Sequence, residues 1–323
     1  MKICWFTKDY PPFHNCGSDW YAHELNKFLI SQGYDVTVIS SYGRFEFEGV
    51  KGVPKSEYSH HMAMSDVIFT HLDWTGECIR LNERNNRPIF WFMHATMDYP
   101  SVRRAWKKVI VVYNSEHAKK TIPFHANIGF VLEPPIKEIN AKPGDCITLI
   151  NISEAKGGRV LKTIAENMPD KKFIGVKGSY GQQVLNQPPN VEIVENTSDL
   201  TEVYSRSRLV LMPSVYESWG MVGVEAMSCG IPVLASDIWG LKESLGDAGI
   251  FLNRNKAEDW IDMIKKLDDK KEYSKASKKA KARVQELKDR SKMKDFEEEI
   301  RRITGKGATH VKKAEHDNGH WTR

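Results

Sequence analysis

Several things are scarce in this chain of 323 residues, and each scarcity removes a class of protein. Only five cysteines occur, at 4, 16, 78, 146 and 229, an odd number with no C-x-x-C pair. That speaks against a disulfide framework and a structural zinc site, and for a reducing compartment. No apolar run approaches the length that spans a bilayer. The N-terminal residues read as a short strand rather than a secretory signal. The expected setting is therefore cytoplasmic, free or peripheral to a membrane. There is no repeat of the solenoid kind. No G-x-G-x-x-G follows the first strand, so a dinucleotide-dependent oxidoreductase ranks far behind other readings. No D-x-D pair follows a strand of the first half, which predicts chemistry without a metal or other cofactor.

What is present is a composition of 41% hydrophobic and 10% aromatic residues, ordinary for a globular protein and enough for two domains. The first half alternates elements: strand at 2–7, helix at 18–32, strand at 35–40, then short apolar runs at 66–70, 88–93 and 108–113. Tyr21, Leu25, Phe28 and Leu29 share one helical face. Pro134 and Pro135 interrupt the pattern. A second series follows with strands at 146–150, 172–176, 191–194, 209–212 and 233–236, and helices at 159–166, 200–205, 258–267, 273–290 and 295–303. Such alternation predicts parallel sheets covered by helices on both faces. The expected domains are residues 1–135 and 136–290, with 291–323 a helix returning towards the first domain plus a basic tail.

The most informative segment is 214–236. Glu217 lies in a loop after the strand 209–212, Gly220 opens a helix, Glu225 sits about a turn and a half inside it, and Gly230 and Pro232 stop it. A helix N-terminus offers unpaired N–H groups to an anion. Carboxylates do not bind phosphate, so the two glutamates are expected to hold something attached to it, such as sugar hydroxyls.

With Trp219, Met221 and the exit through Met227, Cys229, Gly230 and Pro232, this segment resembles the E-x7-E signature of retaining glycosyltransferases of family 4. That resemblance implies an α/β protein of the GT-B fold, two facing Rossmann-like doubly wound domains with a cleft between them. It implies a nucleotide-diphosphate sugar as co-substrate and transfer to a hydroxyl acceptor by a front-face mechanism without metal. Residue by residue, His94, Lys156 and Glu217 take the catalytic places. Gly17, Asn151, Gly157, Lys177, Ser218, Gly220, Met221, Val222 and Glu225 take the donor-binding places. Glu217 holds donor-sugar hydroxyls, Glu225 the ribose, and the amides at 220–222 the phosphates. Two departures stand out: Cys16 replaces the first of a glycine pair, and Asn151 stands where the family has arginine, leaving Lys177 or another cation to supply the charge. A non-catalytic GT-B relative that binds a nucleotide sugar or glycan is the second reading.

The acceptor is open. The loops 41–59, 72–77 and 97–104 are expected to read it. The basic stretches 103–108, 265–294 and 310–323 suit an anionic acceptor: a lipid phosphate, an envelope precursor or a hydroxylated DNA base. A neutral small molecule is the alternative.

Overall fold

The computed structural model describes residues 1–94, 109–121, 129–137 and 139–306. Among them, eight strands form a first sheet: β1 (Lys2–Phe6), β2 (Asp35–Ser40), β3 (Phe45–Phe47), β4 (Val50–Pro54), β5 (Val67–His71), β6 (Ile89–Met93), β7 (Ile110–Tyr113) and β8 (Gly129–Val131). Their order is β3-β4-β2-β1-β5-β6-β7-β8, and every pairing is parallel except β3 with β4. Six more form a second, wholly parallel sheet: β9 (Cys146–Ile150), β10 (Phe173–Val176), β11 (Val191–Val194), β12 (Ser207–Met212), β13 (Val233–Ser236) and β14 (Ile250–Leu252), in the order β11-β10-β9-β12-β13-β14. Central strands such as β5, β6 and β13 are buried at every position, as parallel strands covered on both faces must be.

The strand order reverses between β1 and β5 in the first sheet and between β9 and β12 in the second. Crevices for ligands open at such reversals, beyond the carboxyl ends of the strands. The loops after β1, β9 and β12 are those that the sequence singles out.

One expectation fails. The stretch 41–59 is not simply a loop: it contains β3 and β4, a hairpin that widens the sheet. Glu48 and Gly49 both take positive φ, 46° and 81°, the geometry of a two-residue hairpin turn. Gly52 lies opposite Phe45, whose ring occupies the space a side chain at 52 would need. Likewise 72–77 is a short 3-10 turn, Leu72–Trp74, followed by the helix Thr75–Leu81. The basic positions 103–108 and 310–323, and the loop 97–104, lie outside the described residues.

The helix Met293–Thr304 lies against the first sheet, although that sheet's own strands end at Val131. Phe296 is fully buried, with ring centroids 5.6 Å from Phe90, 5.8 Å from Phe92 and 5.5 Å from Phe130. Tyr34 donates its hydroxyl to Glu297 at 2.9 Å and accepts from Arg301 at 3.1 Å, and Lys306 pairs with Asp66 at 2.6 Å. Phe296→Ala should therefore destabilise the protein by roughly 3–5 kcal/mol, the usual cost of emptying a buried phenylalanine site. Urea unfolding of both proteins checks this. A change under about 1 kcal/mol would mean that the helix contributes no core.

Candidate active site

Two of three neighbouring helices start on one cavity, and the third begins two residues after its wall residue Lys156. The helix Gly17–Ser31 follows β1, Gly158–Glu166 follows β9 and Met221–Ser228 follows β12, and among the described residues none has a side-chain cap hydrogen bond. The last two also lack an acidic residue in the first turn, so their positive ends are unneutralised. Both begin after a glycine in the left-handed region, Gly157 with φ 104° and Gly220 with φ 87°. A β-carbon at 220 would meet Leu241 at 2.5 Å, and one at 157 would run into Pro213, so neither position tolerates a side chain.

The cavity holds about 700 Å³ and is walled by both domains. On its second-domain side, the Lys156 ammonium lies 2.6 Å from Glu217 Oε1, which also accepts from the Ser214 hydroxyl at 3.0 Å. Both partners are largely enclosed, at 18% and 14% side-chain exposure. Burial alone would lower the Lys156 pKa, but the Glu217 charge and Tyr180 outweigh it, so the net shift is upward and the ammonium keeps its proton. Glu225 accepts from the Tyr204 hydroxyl at 2.9 Å. Burial raises its pKa, partly offset by that hydrogen bond and by Lys137.

On the first-domain side, His94 Nε2 is 3.0 Å from His71 Nδ1. Burial lowers the His94 pKa to about 3 and holds His71 well below the usual range, so both rings are neutral at physiological pH. The loop after β1 crosses the cleft: Asn15 donates to the Thr197 carbonyl, and its own carbonyl accepts from Ser179 at 2.7 Å. Cys16 borders the cavity beside Asp19, and burial with that carboxylate pushes its thiol up to about 12, so it is not a thiolate. His14, Cys16 and Asp19 are the one set among the described residues with metal-ligand spacing, and they already bond to each other, His14 to Asp19 at 2.6 Å.

The cavity wall brings together His94, Lys156, Glu217, Gly17, Asn151, Lys177, Ser218, Gly220, Met221, Val222 and Glu225. Gly157 is the exception. It is buried, and its amide bonds to the carbonyls of Ser153 and Glu154 at 3.0 and 3.1 Å, so it serves the turn rather than a ligand. Ser218 also differs from expectation. Its hydroxyl donates to the His94 carbonyl at 2.7 Å and accepts from Asn114 at 2.8 Å, which ties the two domains together. Lys177 is already paired, with Glu195 at 2.5 Å, and so is a poor substitute for the missing arginine. Asn151, with φ 68°, turns its side-chain oxygen back to the Ser153 amide at 3.1 Å.

Sequence reasoning missed Asn114, Lys137, His71 and Tyr204. Asn114 was within reach, since it follows the carboxyl end of β7. Lys137 was hidden by its place after the two prolines; its ammonium sits 3.8 Å from the centroid of the Trp20 ring and borders the cavity. His71 and Tyr204 act through partners distant in the chain, which no local pattern reveals. A second tie between domains was equally invisible. The Glu243 carboxylate, from the helix Trp239–Leu245, accepts from the amides of Glu116 and His117 at 2.7 and 2.8 Å and so caps the helix Glu116–Thr121.

Two facing parallel sheets whose crevices share one cavity define the GT-B architecture. Residues 182–283, within the second domain, match the family model described as Glycosyl transferases group 1. The chain is 40% identical over 70 residues to the D-inositol 3-phosphate glycosyltransferase of Rhodococcus erythropolis, a match covering 21% of this chain and 16% of that protein. It thus spans under a fifth of that relative's length. Among solved structures, HepE of Anabaena in complex with UDP-glucose superposes with a TM-score of 0.76 at 15% identity, covering 94% of this chain and 99% of the other. An alpha-glucosyltransferase in complex with UDP and a DNA 13-mer containing an HMU base gives 0.65 at 15% identity, over 95% and 100%. No helix among the described residues is long and apolar enough to cross a membrane.

A buried carboxylate kept for binding should cost stability. Above the raised pKa of Glu225 the native state carries a poorly solvated charge; below it the group is neutral and the cost vanishes. Glu225→Gln should therefore melt higher than wild type at pH 7, and the difference should shrink as pH falls through the carboxylate's range. The same variant should bind nucleoside diphosphate at least about tenfold more weakly, a loss of ~1.4 kcal/mol. Melting curves across pH and calorimetry check both; a variant less stable at pH 7 with unchanged affinity contradicts the assignment.

Proposed function

We propose that the protein is a retaining glycosyltransferase that moves a sugar from a nucleoside diphosphate sugar to a hydroxyl acceptor, without a metal ion. The observation that carries this reading is the Lys156–Glu217 pair set beside the open start of the helix Met221–Ser228, with Glu225 one turn deeper in the same cavity. The diphosphate lies at the helix start, where the amides at 220–222 and the Lys156 charge meet its oxygens. Glu217 takes hydroxyls of the donor sugar, Glu225 takes those of the ribose, and His94 faces the sugar from the other domain. As the bond to the anomeric carbon breaks, negative charge grows on the diphosphate, and Lys156 moves its attraction from Glu217 towards that charge. The departing phosphate oxygen then takes the acceptor's proton as the acceptor oxygen attacks from the same face, so the anomeric configuration is kept. The protein supplies position and charge, not a covalent partner.

With Lys177 paired to Glu195 and no arginine at 151, Lys137 is the second cation on the cavity wall, and it supplements Lys156 at the nucleotide end. The acceptor enters along the first domain. The neighbour solved with DNA containing an HMU base makes a hydroxylated base in nucleic acid the acceptor class worth testing first, ahead of a lipid phosphate or an envelope precursor.

Lys156→Ala should lower kcat by at least ~100-fold, the scale of a lost charge stabiliser, with a melting temperature within a few degrees of wild type. Release of nucleoside diphosphate from a panel of nucleotide sugars is the measurement. Chelator treatment should leave the wild-type rate unchanged; restoration of a lost rate by added Mg²⁺ or Mn²⁺ would overturn the metal-free mechanism.

A further inference from the structure

His94 is not alone at the cleft: it ends a chain of hydrogen bonds that runs inwards through β5 to β1. Its Nε2 meets His71 Nδ1 at 3.0 Å, His71 Nε2 meets Thr7 Oγ1 at 2.7 Å, and Thr7 Oγ1 donates to the Asp9 carbonyl at 3.1 Å. Thr7 and His71 are buried, 1% and 0% exposed, and the edges of Trp5 and of His94 itself enclose the His71 ring. Tyr21 packs edge-on against His94 at 5.0 Å between centroids. His94 Nδ1 has no protein partner among the described residues, and the ring borders the cavity.

The direction of this chain follows from its inner end. A carbonyl can only accept, so the Thr7 hydrogen goes to Asp9 and its oxygen must accept from His71 Nε2–H. His71 Nδ1 is then bare and accepts from His94 Nε2–H. In this direction three hydrogen bonds form. In the opposite one Thr7 donates to His71 and His71 to His94, two bonds form and the Asp9 carbonyl loses its hydroxyl. A second proton on His71 would set its Nδ1–H against the His94 Nε2–H, which agrees with the neutral state of that ring; His94 is kept neutral by its burial.

We propose that Thr7 and His71 are positioning residues that hold His94 as its Nε2–H tautomer, so that the atom it offers to the cleft is a bare Nδ1 lone pair. The ligand group this selects is a hydrogen-bond donor, a sugar hydroxyl, and not a carboxylate or ether oxygen, which that lone pair repels. The proposal rests on the glycosyltransferase reading only for the identity of the ligand. The tautomer itself belongs to the ligand-free protein.

The test is nitrogen NMR on full-length protein labelled with ¹⁵N-histidine, with His71 and His94 assigned by the signals lost in His71→Gln and His94→Gln. The expected wild-type spectrum shows both rings neutral, Nε2 protonated and Nδ1 bare, from pH 8 down to about 5, more than a unit above the pKa of about 3 for His94. Thr7→Val removes the hydroxyl at nearly constant shape and should yield a mixture of the two tautomers at both rings, whereas Thr7→Ser should restore the single one. A ligand that needs the bare Nδ1 then loses affinity by the fraction lost, about twofold for an even mixture. Bound UDP-glucose should shift the His94 Nδ1 signal without moving its proton, and UDP alone should not. A protonated Nδ1 on His94 in wild type, or a tautomer unaffected by Thr7→Val, overturns the proposal. UDP-glucose that displaces UDP yet leaves Nδ1 unmoved does the same for the ligand group. If the tautomers behave as stated but no nucleotide sugar binds, the glycosyltransferase reading fails and the tautomer assignment stands.

Discussion

A helix that begins without a side-chain cap among the described residues is the constraint around which this molecule is arranged. Gly220 turns the chain left-handed, Leu241 and Met212 close the space a side chain would need, and the helix Met221–Ser228 opens into the cleft with neither cap nor acid. A helix start of this kind carries about half a positive charge and unpaired donors. Natural sequences usually satisfy those donors with serine, threonine, aspartate or asparagine. Leaving them open costs stability unless an anion arrives. Glu217 on one side of the opening is already neutralised by Lys156, so the carboxylate does not repel an incoming phosphate as a bare charge would.

The same cleft is made to match by ties between the domains. Ser218 stands two residues before Gly220 and bonds to the His94 carbonyl and the Asn114 amide, so the loop that aims Glu217 is registered directly against the first sheet. Glu243 repeats the arrangement in reverse: a carboxylate of the second domain occupies the start of a short helix in the first. The helix Met293–Thr304 returns to bury Phe296 in the first core. These contacts hold His94 and Lys156 on opposite walls of one cavity. A group transfer that relies on position rather than on a covalent intermediate needs that registry.

Much of this was legible because strand-loop-helix units carry local signals. The alternation of apolar runs and amphipathic segments located ten of the fourteen strands of the described residues, and missed β3, β4, β8 and β14, three of which are only three residues long. The hairpin of β3 and β4 escaped because its turn is Glu48–Gly49 rather than the usual asparagine or aspartate with glycine, and because Phe45 and Phe47 alternate with charge over too few residues to register. At the candidate site, Glu217, Glu225 and Lys156 were marked by the resemblance of their segments to family motifs, and the fold places all three on the cavity wall. Gly157 was misjudged for the same reason: the motif marks it, but its amide is consumed inside the turn and its missing side chain makes room for Pro213. His71, Asn114, Lys137 and Tyr204 matter through contacts between segments 18 to 104 positions apart or across the linker, and only the fold brings those together.

The central claim is that a nucleoside diphosphate docks on the open helix start at residues 220–222. Amide hydrogen exchange, resolved to single residues by NMR, addresses it directly. With a saturating nucleoside diphosphate, drawn from a panel of the common bases, the amides of Gly220, Met221 and Val222 should slow by at least about tenfold while those of the remote helix Lys270–Asp289 stay unchanged. Saturable binding that leaves those three amides exchanging at their ligand-free rates, or no binding by any member of the panel, would contradict it.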